Sequence, residues 1–156
     1  MANNLHRIDK NKYFFDDKSA KRACDFIQTF CKHTKGELAG EPFVLEPWQI
    51  EIIEAIFGWK SKKTKLRKFR QCFIFIPRKN GKTTMMVGIA LYMLFSDGEK
   101  GAEIVSAAAD KEQARLSFSI AKKMVLQEPN LIKRAGTYRD SITYDKVGSY
   151  YKVISA

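Results

Sequence analysis

Acidic residues are missing where cationic ones are densest. Between Ala55 and Ser96 there is no Asp or Glu, while Lys60, Lys62, Lys63, Lys65, Arg67, Lys68, Arg70, Arg78, Lys79 and Lys82 supply ten positive charges. The rest of the chain, with 18 basic and 17 acidic residues, is nearly neutral, so almost all of the net +11 sits in one window. Such a field favours a polyanionic partner such as a nucleic acid or nucleotide, without naming which. Cysteine and histidine are also scarce. Cys24, Cys31 and Cys72 form no CxxC pair, and His6 and His33 cannot complete a zinc set. On one helix, Cys24 and Cys31 would stand roughly 10 Å apart along the axis, too far to bridge. That pattern fits a reducing cytoplasm. Long apolar runs are absent as well. The longest, residues 85–95, is interrupted by Gly88, and residues 1–12 have no apolar core, so neither membrane spanning nor secretion is supported.

What is present is enough for a folded globule. The 156 residues are 45% hydrophobic, with 11 Phe, 6 Tyr and 2 Trp, far from the composition of disordered chains and too short for two full domains. Asp16 and Asp17 are candidate caps for a helix over residues 18–33, where Ala20, Ala23, Cys24, Ile27, Phe30 and Cys31 recur at helical spacing, with Gly36 as its stop. Pro47 suits the first position of a second helix carrying Trp48, Ile52, Ala55 and Ile56 on one face and ending at Gly58 or Trp59. The cationic stretch 60–68 reads as a solvated linker or exposed turn.

Residues 72–76 are a short apolar run bounded by charge and by Pro77, the pattern of a strand buried on both faces. A helical run over 83–95 follows. Residues 103–107 read as a strand, leading into a helix capped by Asp110, with Gln113 three residues on and Ala114, Phe118, Ala121 and Val125 on its apolar face. Residues 141–145 and 149–155 read as two more strands around a turn at 146–148. Alternating strands and helices imply an α/β fold with a largely parallel sheet.

Between the first of these strands and its helix lies Ile76, Pro77, Arg78, Lys79, Asn80, Gly81, Lys82, Thr83, which aligns with the phosphate-loop pattern GxxxxGK[ST] except that Ile76 replaces the leading Gly. In such a loop, backbone N–H groups and the helix N-terminus surround phosphates, Lys82 reaches the β- and γ-phosphates, and Thr83 reaches Mg²⁺. Gly81 permits close backbone approach. In isolation NGKT is also an ordinary Asn-Gly turn; the strand before, the helix after and the positive field favour nucleotide binding.

PRKNGKTT after an apolar strand, PWQ some thirty residues upstream and AAADKEQA downstream together resemble the N-terminal ATPase part of the large terminase subunits of tailed bacteriophages. The resemblance runs from about Phe43 to Ala156, leaving 1–42 as an N-terminal helical segment. It implies a P-loop NTPase-like parallel sheet flanked by helices, incomplete in this chain, with ATP and Mg²⁺ as cofactors. In that family the loop is deviant, with Arg two residues after the strand, so Ile76 fits. Carried over by position, Pro77, Arg78, Lys79, Asn80, Gly81, Lys82, Thr83 and Thr84 would hold nucleotide, Thr83 the metal, and Arg78 and Lys82 would be catalytic. Arg78 then acts as an arginine supplied in cis, or else is one more surface cation. Gln49 matches the Gln that reads adenine, its amide both donating and accepting.

The implied partners are double-stranded DNA, a small terminase subunit and a portal ring, with a homo-oligomer allowed in the intact protein and the cytoplasm of a bacterial host as the setting. Hydrolysis also needs an apolar strand ending in Asp-Glu, which this sequence lacks, and the family's nuclease domain lies farther along. The chain therefore reads as an N-terminal piece of a packaging ATPase that alone binds nucleotide weakly and hydrolyses it poorly. Two other readings stand beside it: another P-loop enzyme such as a helicase, which expects a Gly-led loop, and a non-enzymatic basic module that binds nucleic acid. Residues 60–70 could touch DNA phosphates or be a soluble loop, and Trp48 and Trp59 could stack on bases, although on such a helix they are more often core.

Overall fold

The computed structural model describes residues 8–108 and 111–155. These fall into two compact units: the described part of Met1–Cys24 together with Glu46–Phe75, and Asp25–Leu45 together with the described part of Ile76–Ala156. No helix among the described residues is long and apolar enough to cross a membrane.

In the first unit, β1 (Tyr13–Phe15) precedes α1 (Asp17–Phe30), whose first half belongs here. Asp16 caps α1, accepting hydrogen bonds from the Ser19 N–H at 3.1 Å and the Ser19 hydroxyl at 2.8 Å. Then come α2 (Pro47–Gly58) and β2 (Trp59–Ser61). β1 and β2 form an antiparallel two-stranded ribbon in which Tyr13, Phe14 and Phe15 face Ser61, Lys60 and Trp59. The stretch expected as a solvated linker is therefore partly structural. Lys60 is half-buried, and its ammonium lies 2.8 Å from an Asp16 carboxylate oxygen and 2.6 Å from the Ser19 hydroxyl. The Lys60 hydrogen bond, with help from Ser19, holds the Asp16 carboxyl well below its usual value.

The buried face of α2 also differs from expectation. Gln49, Ile53 and Phe57 are buried, whereas Trp48, Ile52, Ala55 and Ile56 are only half-buried. The helix is apolar on most of its surface, so periodicity alone leaves its rotation open by about one residue, roughly 100°. Trp59 meets Phe15 edge-on at 5.2 Å.

In the second unit α1 ends at Phe30, short of His33 and Gly36. Beyond it the backbone turns to pair across a loop: Phe43 N–H donates to the Cys31 carbonyl at 2.9 Å, and His33 N–H to the Glu41 carbonyl at 2.9 Å. Cys31 is buried, and burial pushes its thiol pKa up to about 12. Next come α3 (Lys82–Phe95), β3 (Glu103–Ala108), α4 (Lys111–Gln127), a short α5 (Pro129–Ile132), β4 (Gly136–Thr137), β5 (Ser141–Tyr144), and β6 (Ser149–Ser155) after a 3₁₀ turn. The Asp110 cap lies outside the described residues. The expected α4 face, Ala114, Phe118, Ala121 and Val125, is buried.

The sheet order is β3-β6-β5-β4. Only β3–β6 is parallel; β5–β6 and β4–β5 are antiparallel, so the largely parallel sheet expected from the sequence is a mixed one. The reason is local. β5 and β6 are separated by residues 145–148, whose 3₁₀ turn ends at left-handed Gly148, a connection that suits antiparallel neighbours and is far too short for a crossover. α3 and α4 pack on the sheet. Phe118 of α4 touches Tyr151 of β6 at 5.6 Å, and Phe95 of α3 touches Tyr144 of β5 at 5.5 Å. One side of the β3–β6 pair is covered through Ile104 and Tyr151, while Val105 and Ile154 on the other side are nearly half exposed.

α3 is the central helix, burying Met85, Val87, Ile89, Leu91, Tyr92, Leu94 and Phe95. Gly88 lets Ile27 of α1 approach closely, since an added Cβ would stand 3.1 Å from Ile27 Cγ2. The expected strand at 72–76 is not one. This stretch has no regular secondary structure, and Phe73 and Phe75 are 91% and 85% exposed, their rings stacked on each other at 6.5 Å. The apolar pattern is real, but no strand among the described residues pairs with it; a backbone without a ladder cannot be a strand whatever its side chains favour.

Candidate nucleotide-binding site

The loop that opens α3 lies wholly in the second unit. Its backbone alternates in hand: Lys79 and Gly81 both have φ of 68°, and neither neighbour is in the positive-φ region. Alternation of this kind turns successive N–H groups toward one concave side, the geometry of an anion nest. For Gly81 the left-handed region is free of steric cost, whereas for Lys79 it is strained.

Gly81 is also the N-cap of α3, and no side-chain hydrogen bond caps that helix. The first intrahelical bond runs from Met85 N–H to the Gly81 carbonyl at 3.0 Å, so the N–H groups of Lys82, Thr83 and Thr84 lie ahead of the ladder. The positive end of a 14-residue helix therefore points out through this loop.

Lys82 is half-buried. Its ammonium turns back on the loop and donates to the Ile76 carbonyl at 3.4 Å, a long bond that a stronger acceptor would displace. Asn80 ties the loop from within, its side-chain amide donating to the carbonyls of Pro77 at 3.3 Å and Arg78 at 3.4 Å. Pro77, Arg78, Lys79 and Thr83 are exposed and Thr84 is half-buried. Of the residues read from the sequence as nucleotide contacts, all from Pro77 to Thr84 thus gather on one loop and helix start.

Gln49 belongs to the first unit. Its side-chain oxygen accepts from Glu46 N–H at 2.9 Å, and the Glu46 side chain reciprocates toward the N–H of Gln49, forming a capping box at the start of α2. Gln49 is 2% exposed, so it is neither a solvated helix residue nor a free amide in this state. Sequence reasoning had not found that role, although an acidic residue followed three positions later by Gln, around Pro47, carries the capping-box spacing. The Lys60–Asp16–Ser19 cluster was also missed; nothing in the local pattern joins residues 41 and 44 positions apart.

An α/β unit in which a basic turn of alternating hand opens a buried helix is the class of protein that these elements define. Within that class, the chain belongs to the ATPase-domain family of terminase large subunits: residues 47–155 match the family described as terminase large subunit, ATPase domain. It is similar to the terminase large subunit of Enterobacteria phage HK97, with 34% identity over 112 residues that cover 71% of this chain and 21% of that protein. A solved structure of the HK97 bacteriophage large terminase resembles it with a TM-score of 0.74 and 28% identity, over 88% of this chain and 27% of that one. The chain spans about a quarter of the length of these relatives.

Proposed function

We propose that this chain is the nucleotide-binding part of a DNA-packaging motor, and that residues 76–84 form its triphosphate site. One observation carries the reading. A loop of alternating hand delivers its N–H groups, the end of α3 and the Lys82 ammonium to one place, with no side chain capping that helix. Apart from the long bond of Lys82 to the Ile76 carbonyl, these are donors turned toward one place, the complement of a polyphosphate.

In this reading the N–H groups of Lys79 through Thr84 cradle the phosphates. Lys82 exchanges its weak bond to the Ile76 carbonyl for charge-assisted bonds to β- and γ-phosphate oxygens. The Thr83 hydroxyl, exposed on the first turn, is placed to hold Mg²⁺, which when bound neutralises phosphate charge. Asn80 keeps the loop folded through its two carbonyl contacts, and Pro77 fixes φ at its entry. Arg78, exposed at the loop, approaches the γ-phosphate and stabilises the charge that builds on it. Gln49 would have to release Glu46 N–H to use both amide atoms on adenine; with the box intact, only its N–H donors remain for the base.

The complete protein hydrolyses ATP to drive double-stranded DNA into a procapsid in the host cytoplasm, working with a small terminase subunit and a portal ring as a homo-oligomer. Residues 43–156 are the ATPase portion, and residues 1–42, which carry β1 and α1, precede it. The sequence has no apolar strand ending in Asp-Glu, the pair that would hold Mg²⁺ and orient the attacking water, and on its own the chain turns over slowly.

Binding of a fluorescent ATP analogue to the chain, with and without Mg²⁺, tests the site. Lys82→Ala should weaken affinity by on the order of 100-fold while leaving the thermal midpoint within a degree or so, because its bond to Ile76 is weak. Equal affinity in parent and variant removes the triphosphate site, and with it the motor reading.

A further inference from the structure

The first unit carries a second cationic feature that the nucleotide loop does not use. At one end of the β1–β2 ribbon, Lys62 N–H donates to the Lys12 carbonyl at 2.9 Å, and Lys65 N–H closes the turn onto the Ser61 carbonyl at 2.9 Å. Lys10, Lys12, Lys62, Lys63 and Lys65 are thereby gathered at the tip, all exposed.

Their compensation is slight. Asp9 stands 3.9 Å from Lys12, with both side chains well exposed, a pairing worth little. Asp16, which follows β1 at the end away from Lys12, is already taken by Lys60. The seven residues that precede the described chain contain no acid. Lys65 rests over the Phe14 ring at 4.9 Å, which orients its stem without neutralising it. Five lysines held together by a hydrogen-bonded turn repel one another, a cost that a soluble turn could avoid by spacing them or alternating their sign.

We propose that this lysine-tipped ribbon is a contact surface for the phosphate backbone of duplex DNA. The inference rests on the reading of the chain as part of a DNA-packaging protein, and adds where the duplex touches it. Lysine suits this use, because an ammonium on a flexible stem neutralises phosphate as a point charge without reading bases. Contact through Lys12, Lys62 and Lys63 is sequence-independent and strongly salt-dependent.

The test measures binding of the chain to a fluorescein-labelled 30-base-pair duplex of arbitrary sequence by anisotropy, from low to moderate salt and without nucleotide. The triple variant Lys12→Gln, Lys62→Gln, Lys63→Gln should flatten the slope of log affinity against log salt by about 2.7, since each phosphate contact contributes about 0.9. The parent's loss of affinity between 50 and 200 mM salt would then exceed the variant's by roughly 40-fold. The same three positions changed to Arg should keep the parent slope.

Lys133→Gln with Lys146→Gln, two exposed cations of the other unit, should change the slope by much less. If the triple Gln variant keeps the full slope, or the control pair flattens it as much per charge, the surface is refuted. So it is if the triple variant loses binding to phosphatidylserine vesicles but not to the duplex. Since no nucleotide is present, a failed triphosphate site leaves this result untouched. The thermal midpoint of the triple variant, expected to match or exceed the parent's, separates lost contacts from lost folding.

Discussion

The second strand of the β1–β2 ribbon with the turn that follows it, residues 59–68, and the loop at 77–83 are both rich in Lys and Arg and both lie in the acid-free stretch between Ala55 and Ser96, yet they differ in what answers the charge. In the ribbon, other parts of the same unit answer it. Lys60 meets Asp16 and Ser19, Arg67 lies over Phe57 at 5.3 Å, and Lys68 over Phe69 at 4.3 Å and Tyr13 at 5.2 Å. In the loop, the donors face outward from a strained backbone, and the contacts made are two long amide bonds from Asn80 and one from Lys82. Cationic composition therefore carries two meanings: part of the ribbon's charge holds a fold, and the loop's, on the proposed reading, is left for a ligand. Only the ribbon's tip resembles the loop in this respect.

The largest break in that comparison should come from Lys60. Lys60→Ala removes the half-buried partner of Asp16 and should destabilise the protein by about 2 kcal/mol, read in denaturant unfolding, with nucleotide affinity unchanged. Lys79→Ala, the same deletion in the loop, should stay within about 0.5 kcal/mol of the parent. Equal losses at both sites would mean that the two regions use their cations alike.

Acid sharpens the same contrast with a smaller effect. The Lys60 hydrogen bond depresses the Asp16 carboxyl below its ordinary value of 3.8. A depressed carboxyl contributes stability that is whole above that ordinary value and is lost as pH falls through the depressed one. Stability should therefore decline with an Asp16-dependent slope once pH drops below about 3.8. Asp16→Asn should flatten that part of the curve. Glu128 in the second unit adds to the acid limb: burial pushes its carboxyl up, but bonds from Asn130 and Lys32 outweigh this and bring it below its usual value. The loop has no carboxylate and contributes no such slope. An acid limb unchanged by Asp16→Asn would show that the Lys60 pair does not survive in solution.

How much of this was legible beforehand follows from the range of the interactions. α1, α3 and α4 were readable because caps, helical periodicity and a glycine-led turn act within a few residues. The site loop was readable for the same reason, as seven consecutive residues whose geometry depends on Pro77, Gly81 and the helix that follows. The place of β6 beside β3 was not, because that pairing joins segments far apart in the chain, whereas the antiparallel β5–β6 pair follows from the short turn at 145–148. Residues 72–76 misled for a related reason: a short continuous apolar run shows that a segment suits a sheet, not that a neighbour is there to pair with it. Gln49 was singled out for the adenine it could meet, while the contact it makes is with a backbone N–H three residues away.

The smallest predicted effect separates the two regions at their most similar point. Lys65 in the ribbon and Lys79 in the loop are the non-glycine residues with positive φ among the described residues, at 61° and 68°. Glycine at either place removes a steric cost of about 1–2 kcal/mol, against about 0.5–1 kcal/mol for the freedom glycine adds to the unfolded chain. At Lys79 nothing else changes, so Lys79→Gly should stabilise by about 0.5–1 kcal/mol. At Lys65 the contact over Phe14 goes too, worth about 0.5–1 kcal/mol at an exposed site, so Lys65→Gly should come out near zero. The difference is measurable as paired denaturation midpoints. If the order reverses, Lys79 is held by contacts of its own, and the loop is a packed turn instead of a strained cradle kept open for phosphate.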